Sequence, residues 1–304
     1  MKKGLPKPLT GIIPPLVTPL SNYDTIDIDG LERLVEHTIS GGVHGVFILG
    51  TTGEFASISY NLRRELIERT CKLVDGRVPV LVGITDSAFK ESLNLAAIAE
   101  KSGADAVVLA PPYYFASGQP ELLEYLQRIM INMPLPLFMY NMPVHTKITF
   151  DPETVLAASD IPGIIGLKDS SSNLAYLKLV QYALKDKKEF TFLVGPEEFM
   201  AEFVLTGGHG GVNGGANLFP RLYVDLYNAA RDKNLIKVKI LQEKVMQVSS
   251  TIYGVGHYGS SYLKGLKCAL SIKGICNDFM AEPFHKFKEP ERKRIEEALS
   301  KIEF

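Results

Sequence analysis

Lys168 is the residue whose surroundings point most directly to chemistry. It closes the apolar run Gly163-Ile164-Ile165-Gly166-Leu167. Period-2 alternation along a strand puts Ile164, Gly166 and Lys168 on one face, with Ile165 and Leu167 on the other. A lysine at the end of a buried strand is desolvated, which lowers its pKa from about 10.4 and frees the amine as a nucleophile for a carbonyl carbon. The competing reading is a lysine that leaves the strand end for solvent or pairs with Asp169. Two other strand ends favour chemistry. Leu137-Phe138-Met139-Tyr140-Asn141 delivers Tyr140 to the end of the preceding run, where a phenol can relay protons. Gly50-Thr51-Thr52-Gly53-Glu54 follows the second run, and a turn of that composition offers hydroxyls and backbone N–H groups to a substrate carboxylate. A lysine, a tyrosine and an anion-binding turn at one mouth make a carbonyl-condensing site.

The elements that must bring these residues together are legible in the hydrophobic pattern. Short β-rich runs fall at Gly11 to Val17, Gly45 to Leu49, Val78 to Ile84, Asp105 to Ala110, Leu135 to Tyr140, Gly163 to Lys168, Phe190 to Val194 and Gly210 to Gly215. Helical signals lie between them. Leu62, Leu66, Ile67, Cys71 and Val74 recur at helical spacing, Asp151-Pro152 places an N-cap before an N1 proline, and Gly195-Pro196 opens another helix. Near-continuous apolar strands alternating with helices indicate a parallel sheet, and eight βα units match a closed (β/α)8 TIM barrel better than a doubly wound open sheet. In such a barrel the small Gly166 suits the crowded interior and Lys168 points inward at the catalytic rim. After the eighth unit, Leu235 to Val248, Tyr262 to Ile272 and Glu291 to Ile302 read as helices with no strand between them. The expected organisation is a barrel over residues 1–232 and a C-terminal helical extension over 233–304, packed on the barrel or on a neighbouring subunit.

Composition removes whole classes of function. The 304 residues carry 33 Lys+Arg against 34 Asp+Glu, a net charge of -1, with no basic block to attract nucleic acid or an anionic membrane. The uncharged stretches Ile129 to Thr146 and Phe203 to Pro220 are broken by prolines or rich in glycine, so neither reads as a membrane span. Pro6, Pro8, Pro14 and Pro15 interrupt the apolar N-terminus that an export signal needs. Cys71, Cys268 and Cys276 form no C-x-x-C pair, which argues against a disulfide framework or structural zinc and fits a reducing cytoplasm.

Three looser matches to known patterns yield to simpler readings. Gly254-Val255-Gly256-His257-Tyr258-Gly259 fits G-x-G-x-x-G but lacks a surrounding βαβ unit. Thr25, Asp27, Asp29, Gly30 and Glu36 nearly fit a calcium loop, yet Asp29 makes an adequate N-cap for a helix beginning near Leu31. His209, within Gly207-Gly208-His209-Gly210-Gly211, lies near where barrels bind phosphate, although these glycines serve close packing equally well.

At these residues the chain resembles the dihydrodipicolinate synthase and N-acetylneuraminate lyase family of class I, Schiff-base aldolases. The shared motifs run in the same order from about Gly11 to the C-terminus: Gly50-Thr51-Thr52-Gly53-Glu54, Pro112-Tyr113-Tyr114, Tyr140-Asn141-Met142-Pro143, Gly166-Leu167-Lys168-Asp169 and the glycine-rich eighth strand. The resemblance implies that Lys168 forms an imine with pyruvate or another 2-oxo acid. Thr51 and Thr52, with Gly53, would hold its carboxylate, and Tyr140 would shuttle protons. Tyr114 would reach a neighbouring subunit's relay with Thr52, which implies a homotetramer arranged as a dimer of dimers. Gly195 and Val212 match positions lining the pocket, and no metal or organic cofactor is implied.

Departures narrow the substrate. His145 stands where synthases carry an arginine for the carboxylate of aspartate semialdehyde, and an imidazole cannot reproduce a bidentate guanidinium. Phe55, Tyr60 and Arg63 replace the residues of a lysine-regulated cleft, so lysine feedback is not expected. Lys168-Asp169-Ser170 looks closer to branches that cleave 4-hydroxy-2-oxoglutarate or 2-keto-3-deoxy sugar acids, with Asn213 a candidate reader of a hydroxylated substrate. The expectation is a pyruvate-dependent aldolase acting on a hydroxylated 2-oxo acid. The alternatives are dihydrodipicolinate synthase itself, a non-catalytic 2-oxo-acid-binding barrel, and a phosphosugar isomerase using the glycine-rich eighth strand.

Overall fold

In the computed structural model, which describes residues 4–302, eight short strands run parallel in one sheet. They are β1 (Gly11–Ile12), β4 (Val46–Ile48), β5 (Val80–Gly83), β6 (Ala106–Leu109), β7 (Leu137–Asn141), β8 (Ile164–Asp169), β9 (Thr191–Val194) and β10 (Gly210–Gly211). Six fall inside their expected runs, and β7 and β8 extend one residue beyond theirs, to Asn141 and Asp169. The sheet order β1-β10-β9-β8-β7-β6-β5-β4 closes on itself, because the chain continuing from β1 pairs with β4. Phe47 N donates to Pro14 O at 3.0 Å, and Leu16 N donates to Phe47 O at 2.8 Å. The barrel is therefore complete.

Alternation sorts its side chains into two populations. Ile13, Phe47, Leu81, Ala106, Val108, Phe138, Tyr140, Leu193 and Val212 fill the interior. Their strand neighbours, such as Val46, Val82, Val107, Met139, Leu167 and Phe192, pack outward against the helices. One strand departs from the simple rule. The register between β7 and β8 jumps from Leu137–Ile164 to Phe138–Gly166. This bulge turns Ile164 to the outer shell and Ile165 toward the interior, the reverse of strict alternation, while leaving Gly166 and Lys168 inward. A Cβ on Gly166 would stand 2.5 Å from Phe138 Cε1 and 2.7 Å from Thr191 O, so the ring on β7 occupies the space that glycine leaves.

The connecting helices are α1 (Ile28–Ser40), α2 (Tyr60–Val74), α3 (Phe89–Ser102), α4 (Gln119–Met130), α5 (Pro143–Thr146), α6 (Pro152–Ala158), α7 (Leu174–Ala183), α8 (Met200–Leu205) and α9 (Pro220–Arg231). Two end signals differ from expectation. Asp27, not Asp29, caps α1 by accepting from Gly30 N at 2.9 Å, so Asp29 lies within the first turn. Asp151 occupies the N-cap of α6 before Pro152, but its side chain makes no capping bond. The segment that resembled a calcium loop is instead the end of a short antiparallel hairpin, β2 (Leu20–Asn22) with β3 (Thr25–Ile26), followed by the Asp27 cap and the first turns of α1.

Three further helices follow, α10 (Leu235–Val248), α11 (Ser261–Ile272) and α12 (Glu289–Leu299), with a π-helical turn at Ser249–Tyr253. Their buried residues Val245, Val248, Ile252, Leu266 and Ile295 belong to the same apolar core as the helices around the barrel. The glycine-rich stretch 254–259 joins that turn to α11, with no strand before it. No helix among the described residues is long and apolar enough to cross a membrane.

Candidate active site

Adjacent strands bring Lys168 and Tyr140 side by side. The two are register partners on β8 and β7, both inward and buried, and the Lys168 Nζ lies 3.7 Å from the centroid of the Tyr140 ring. The centroid of the Phe47 ring is 5.5 Å from the same Nζ. Asp169, next in sequence, faces the opposite way. Its Oδ1 accepts from Asn141 Nδ2 at 2.6 Å, and its Oδ2 accepts from the Ser171 hydroxyl at 2.8 Å. Burial raises the Asp169 pKa against the pull of these donors. The carboxylate that could have neutralised the lysine is thus engaged elsewhere.

Burial pushes the Tyr140 phenol up, but the Lys168 ammonium and hydrogen bonding with Lys168, Thr51 and Ser170 outweigh it, and the net shift is downward. A phenol held in this way exchanges protons more readily than an ordinary tyrosine. Thr51 Oγ1 stands 3.3 Å from Tyr140 Oη, so the turn after β4 reaches the lysine–tyrosine pair. That turn is tied by Gly53 N to Gly50 O (3.0 Å), Glu54 N to Thr51 O (3.1 Å) and Thr18 Oγ1 to Gly53 O (2.6 Å). Gly50 is required beneath it, because a Cβ there would lie 2.6 Å from Phe47 Cε1.

The remaining site candidates divide. Val212 lies in the barrel interior, and its N–H donates to Val194 O at 2.8 Å. Gly195 sits at the end of β9, where a Cβ would collide with Ser170 Oγ at 2.1 Å. Asn213 turns away from the interior. Its Nδ2 donates to Gly195 O at 2.9 Å, and its Oδ1 lies over the outer face of Gly211 beside Met200, so it braces the β9 and β10 ends. His145 lies exposed on α5, and partial desolvation by the rim lowers its pKa below that of an ordinary histidine. Tyr114, in the loop between β6 and α4, is 74% exposed and packs edge-on against Phe115 at 5.1 Å. None of the described hydrogen bonds joins it to Lys168, Tyr140 or Thr52.

Two readings of the glycine-rich segment do not survive. His209 precedes β10 and so lies at the end of the barrel away from Lys168, where its Nδ1 accepts from Phe192 N at 2.9 Å. The space over Gly214 and Gly215 is filled by tyrosines. A Cβ on Gly214 would meet Tyr262 Oη at 1.7 Å, and one on Gly215 would meet Tyr223 Oη at 1.9 Å and Tyr253 Oη at 2.8 Å. These glycines make room for phenols rather than for a phosphate. Tyr60 and Arg63 are also engaged, since both bond Asp86 Oδ2, at 2.7 and 3.3 Å.

Sequence reasoning overlooked Ser170 and Tyr262. Ser170 shares the parity of Lys168, which was an available signal, and its hydroxyl bears on the Tyr140 phenol. Tyr262 comes from α11, and its Oη lies 3.1 Å from Thr52 Oγ1. No local pattern marks it.

The geometry is that of a Schiff-base aldolase, and comparison with known proteins agrees. The model of the dihydrodipicolinate synthetase family matches residues 8–302. The chain belongs to this family. Among similar dihydrodipicolinate synthetase family proteins is a 4-hydroxy-tetrahydrodipicolinate synthase of Phenylobacterium zucineum, 30% identical over 289 residues, covering 95% of this chain and 96% of that protein. A probable 2-dehydro-3-deoxy-D-pentonate aldolase of Escherichia coli, YjhH, is 33% identical over 244 residues, covering 80% of this chain and 81% of that protein. Of solved structures, a dihydrodipicolinate synthase from Bacteroides thetaiotaomicron superposes with a TM-score of 0.95 at 61% identity, covering 96% of this chain and 98% of that one. YagE of Escherichia coli K12, solved with pyruvate, superposes with a TM-score of 0.91 at 28% identity, covering 96% and 98%. Family members are thus named both as synthases and as aldolases, and this chain is a lyase of the same class.

Proposed function

We propose that the protein cleaves or forms hydroxylated 2-oxo acids, of the 2-keto-3-deoxy sugar acid or 4-hydroxy-2-oxoglutarate type, through an imine between Lys168 and the 2-oxo carbon. The observation that carries this reading is the buried Lys168 amine against the Tyr140 ring, with Thr51 on the Tyr140 hydroxyl. The amine adds to the C2 carbonyl, the carbonyl oxygen leaves as water, and a protonated imine remains. In cleavage the C4 hydroxyl gives up its proton and the C3–C4 bond breaks. Its electron pair flows into the imine, the aldehyde departs, and the enamine is protonated at C3 before water releases pyruvate. Tyr140 carries these protons, and the Thr51-Thr52-Gly53 turn holds the carboxylate.

The test is incubation with pyruvate and borohydride followed by peptide mapping. A reduced adduct on Lys168, and loss of both adduct and aldol cleavage in Lys168→Ala, are expected. Full cleavage activity in that variant overturns the reading, and pyruvate binding without turnover across a substrate panel would favour a binding protein.

The synthase relatives favour a second reading, condensation of pyruvate with aspartate semialdehyde. His145 argues against it, because one imidazole does not pair a carboxylate in the manner of a guanidinium. Turnover of aspartate semialdehyde comparable to the best aldol substrate would reverse the order. The exposed Tyr114–Phe115 pair supports a homotetramer built as a dimer of dimers, in which Tyr114 completes a neighbouring copy's proton relay. Buried thiols at Cys268 and Cys276, raised to about 11 and about 12 by burial, suit a reducing cytoplasm.

A further inference from the structure

Behind the Thr51-Thr52 turn lies a second set of ionisable groups that the condensation itself does not use. Glu197, in the turn after β9, is buried, with three donors on its carboxylate. Gly215 N donates to Oε2 at 3.0 Å, Tyr253 Oη donates to Oε1 at 2.9 Å, and the Tyr223 hydroxyl also donates to Oε1. The Tyr253 ring packs edge-on against Tyr262 with centroids 4.7 Å apart. Tyr262 Oη in turn lies 3.1 Å from Thr52 Oγ1, and Thr52 adjoins Thr51, which touches Tyr140. The hydroxyls of Tyr223, Tyr253 and Tyr262 converge over Gly214 and Gly215, where no larger residue fits.

We infer that Glu197 is a positioning residue of the aldol site, acting through Tyr253 and Tyr262 to aim the Thr52 hydroxyl at the substrate carboxylate. This inference rests on the proposed function. Ionised, Glu197 accepts from Tyr223, Tyr253 and Gly215 at once, which locks Tyr253 and, by ring packing, Tyr262. Its negative charge also helps Tyr262 keep its proton. Tyr262 then donates to Thr52 Oγ1, and the Thr52 proton is left free for the carboxylate. When Glu197 takes up a proton, one of its oxygens becomes a donor and both accept more weakly, so the hold of the three-donor cage on Tyr253 loosens.

The groups facing Glu197 support a switch near neutrality. Burial raises its pKa to about 7 against the hydrogen bonds from Tyr223, Gly215 and Tyr253, and the Glu198 charge raises it further. Burial and the Glu197 charge hold Tyr223 and Tyr253 well above the ordinary phenol value, so both remain donors across the working range. From α10, Gln242 Nε2 donates to the backbone carbonyls of Glu197 (3.5 Å) and Glu198 (3.4 Å) rather than to the Glu197 carboxylate.

The test measures half-saturation by pyruvate, read as the cyanoborohydride-trapped fraction of Lys168, at several pH values on either side of neutrality. In the native protein half-saturation should fall to lower pyruvate concentration as pH rises through about 7. Glu197→Gln should lose this pH limb and bind pyruvate about tenfold more weakly above it, the cost of one misaligned hydrogen bond to a charged group. Tyr262→Phe, which keeps Glu197, should show the same loss with an unchanged circular-dichroism spectrum, and it serves as the test if the glutamine variant does not fold. Retention of the limb in Glu197→Gln, or native pyruvate affinity in Tyr262→Phe, overturns the inference. So does an effect of Glu197→Gln confined to the KM of the aldehyde, which would mean direct substrate contact. Absence of any Lys168 adduct in the native protein would instead overturn the proposed function.

Discussion

Glu197 also carries a consequence for stability that can be separated from its effect on the site. Its folded pKa of about 7 lies above the ordinary 4.5. Below pH 4.5 the group is protonated whether the chain is folded or not, and it costs nothing. Between 4.5 and about 7 the unfolded chain ionises while the folded chain keeps its proton, so stability falls as pH rises and then levels off. The whole penalty is ~3 kcal/mol. Glu197→Gln lacks this titration, so its stability relative to the native protein should improve by about that amount from pH 5 to pH 8 in urea unfolding. A difference that stays flat with pH would mean the carboxyl ionises normally. The same scale explains why Lys168 was legible and Glu197 was not. Lys168 interrupts an apolar strand at its end, a contrast visible in one dimension. Glu197 sits in Gly195-Pro196-Glu197-Glu198, where a pair of carboxylates at a helix start reads as ordinary polar surface until three distant donors are seen on one of them.

At the scale of elements, α11 holds the catalytic turn from two sides. Tyr262 meets Thr52, and five residues further on Lys267 Nζ donates to Glu54 Oε1 at 2.5 Å and to Phe279 O at 2.5 Å. The second Glu54 oxygen accepts from Ala281 N at 2.8 Å. Both side chains of this ion pair are buried, Lys267 completely. Breaking one side of such a pair strands a charge in the core, so Lys267→Met should destabilise the protein by about 3 to 5 kcal/mol, and adding Glu54→Gln should recover a large part. Urea titrations of the single and double variants check this. Simple additivity of the two losses would show that the charges do not depend on each other. The helix was expected from periodicity, but its role as a clamp on the turn was not, because a buried lysine in a helical pattern looks like any solvated one. The β7–β8 bulge was likewise invisible, since a register slip depends on the partner strand.

For the whole molecule, the site of a single chain is assembled from β4, β7, β8, β9 and α11, while Tyr114 lies exposed in the loop after β6. The proposed dimer of dimers gives that exposed aromatic pair a place in a neighbouring copy. Tyr114→Ala should then lower turnover by about 100-fold or more, as expected for a lost proton-relay group. Sedimentation should report the fourfold mass for the native protein. A native monomer with full activity, indifferent to Tyr114→Ala, would remove Tyr114 from the machinery. The C-terminal helices share the apolar core of the barrel shell, so the clamp at α11 is continuous with the packing that stabilises the fold.

What the sequence determined by itself is what local pattern can encode. Eight apolar runs separated by amphipathic helices specify a parallel sheet covered by helices, and eight βα units favour its closure into a barrel over an open doubly wound sheet. The parity of Gly166 and Lys168 specifies an inward lysine, and the motif order specifies the family. The tertiary structure decided what depends on distant segments meeting. It chose Thr51 to touch Tyr140 and Thr52 to touch Tyr262, and it turned Asn213 outward and His209 to the far end of the barrel. It also filled the glycine-rich turn with phenols from α9, α11 and the π-helical turn. The physical reason is the same in each case: a polar side chain's role is set by which partner satisfies it when water is gone, and that partner lies elsewhere in the chain.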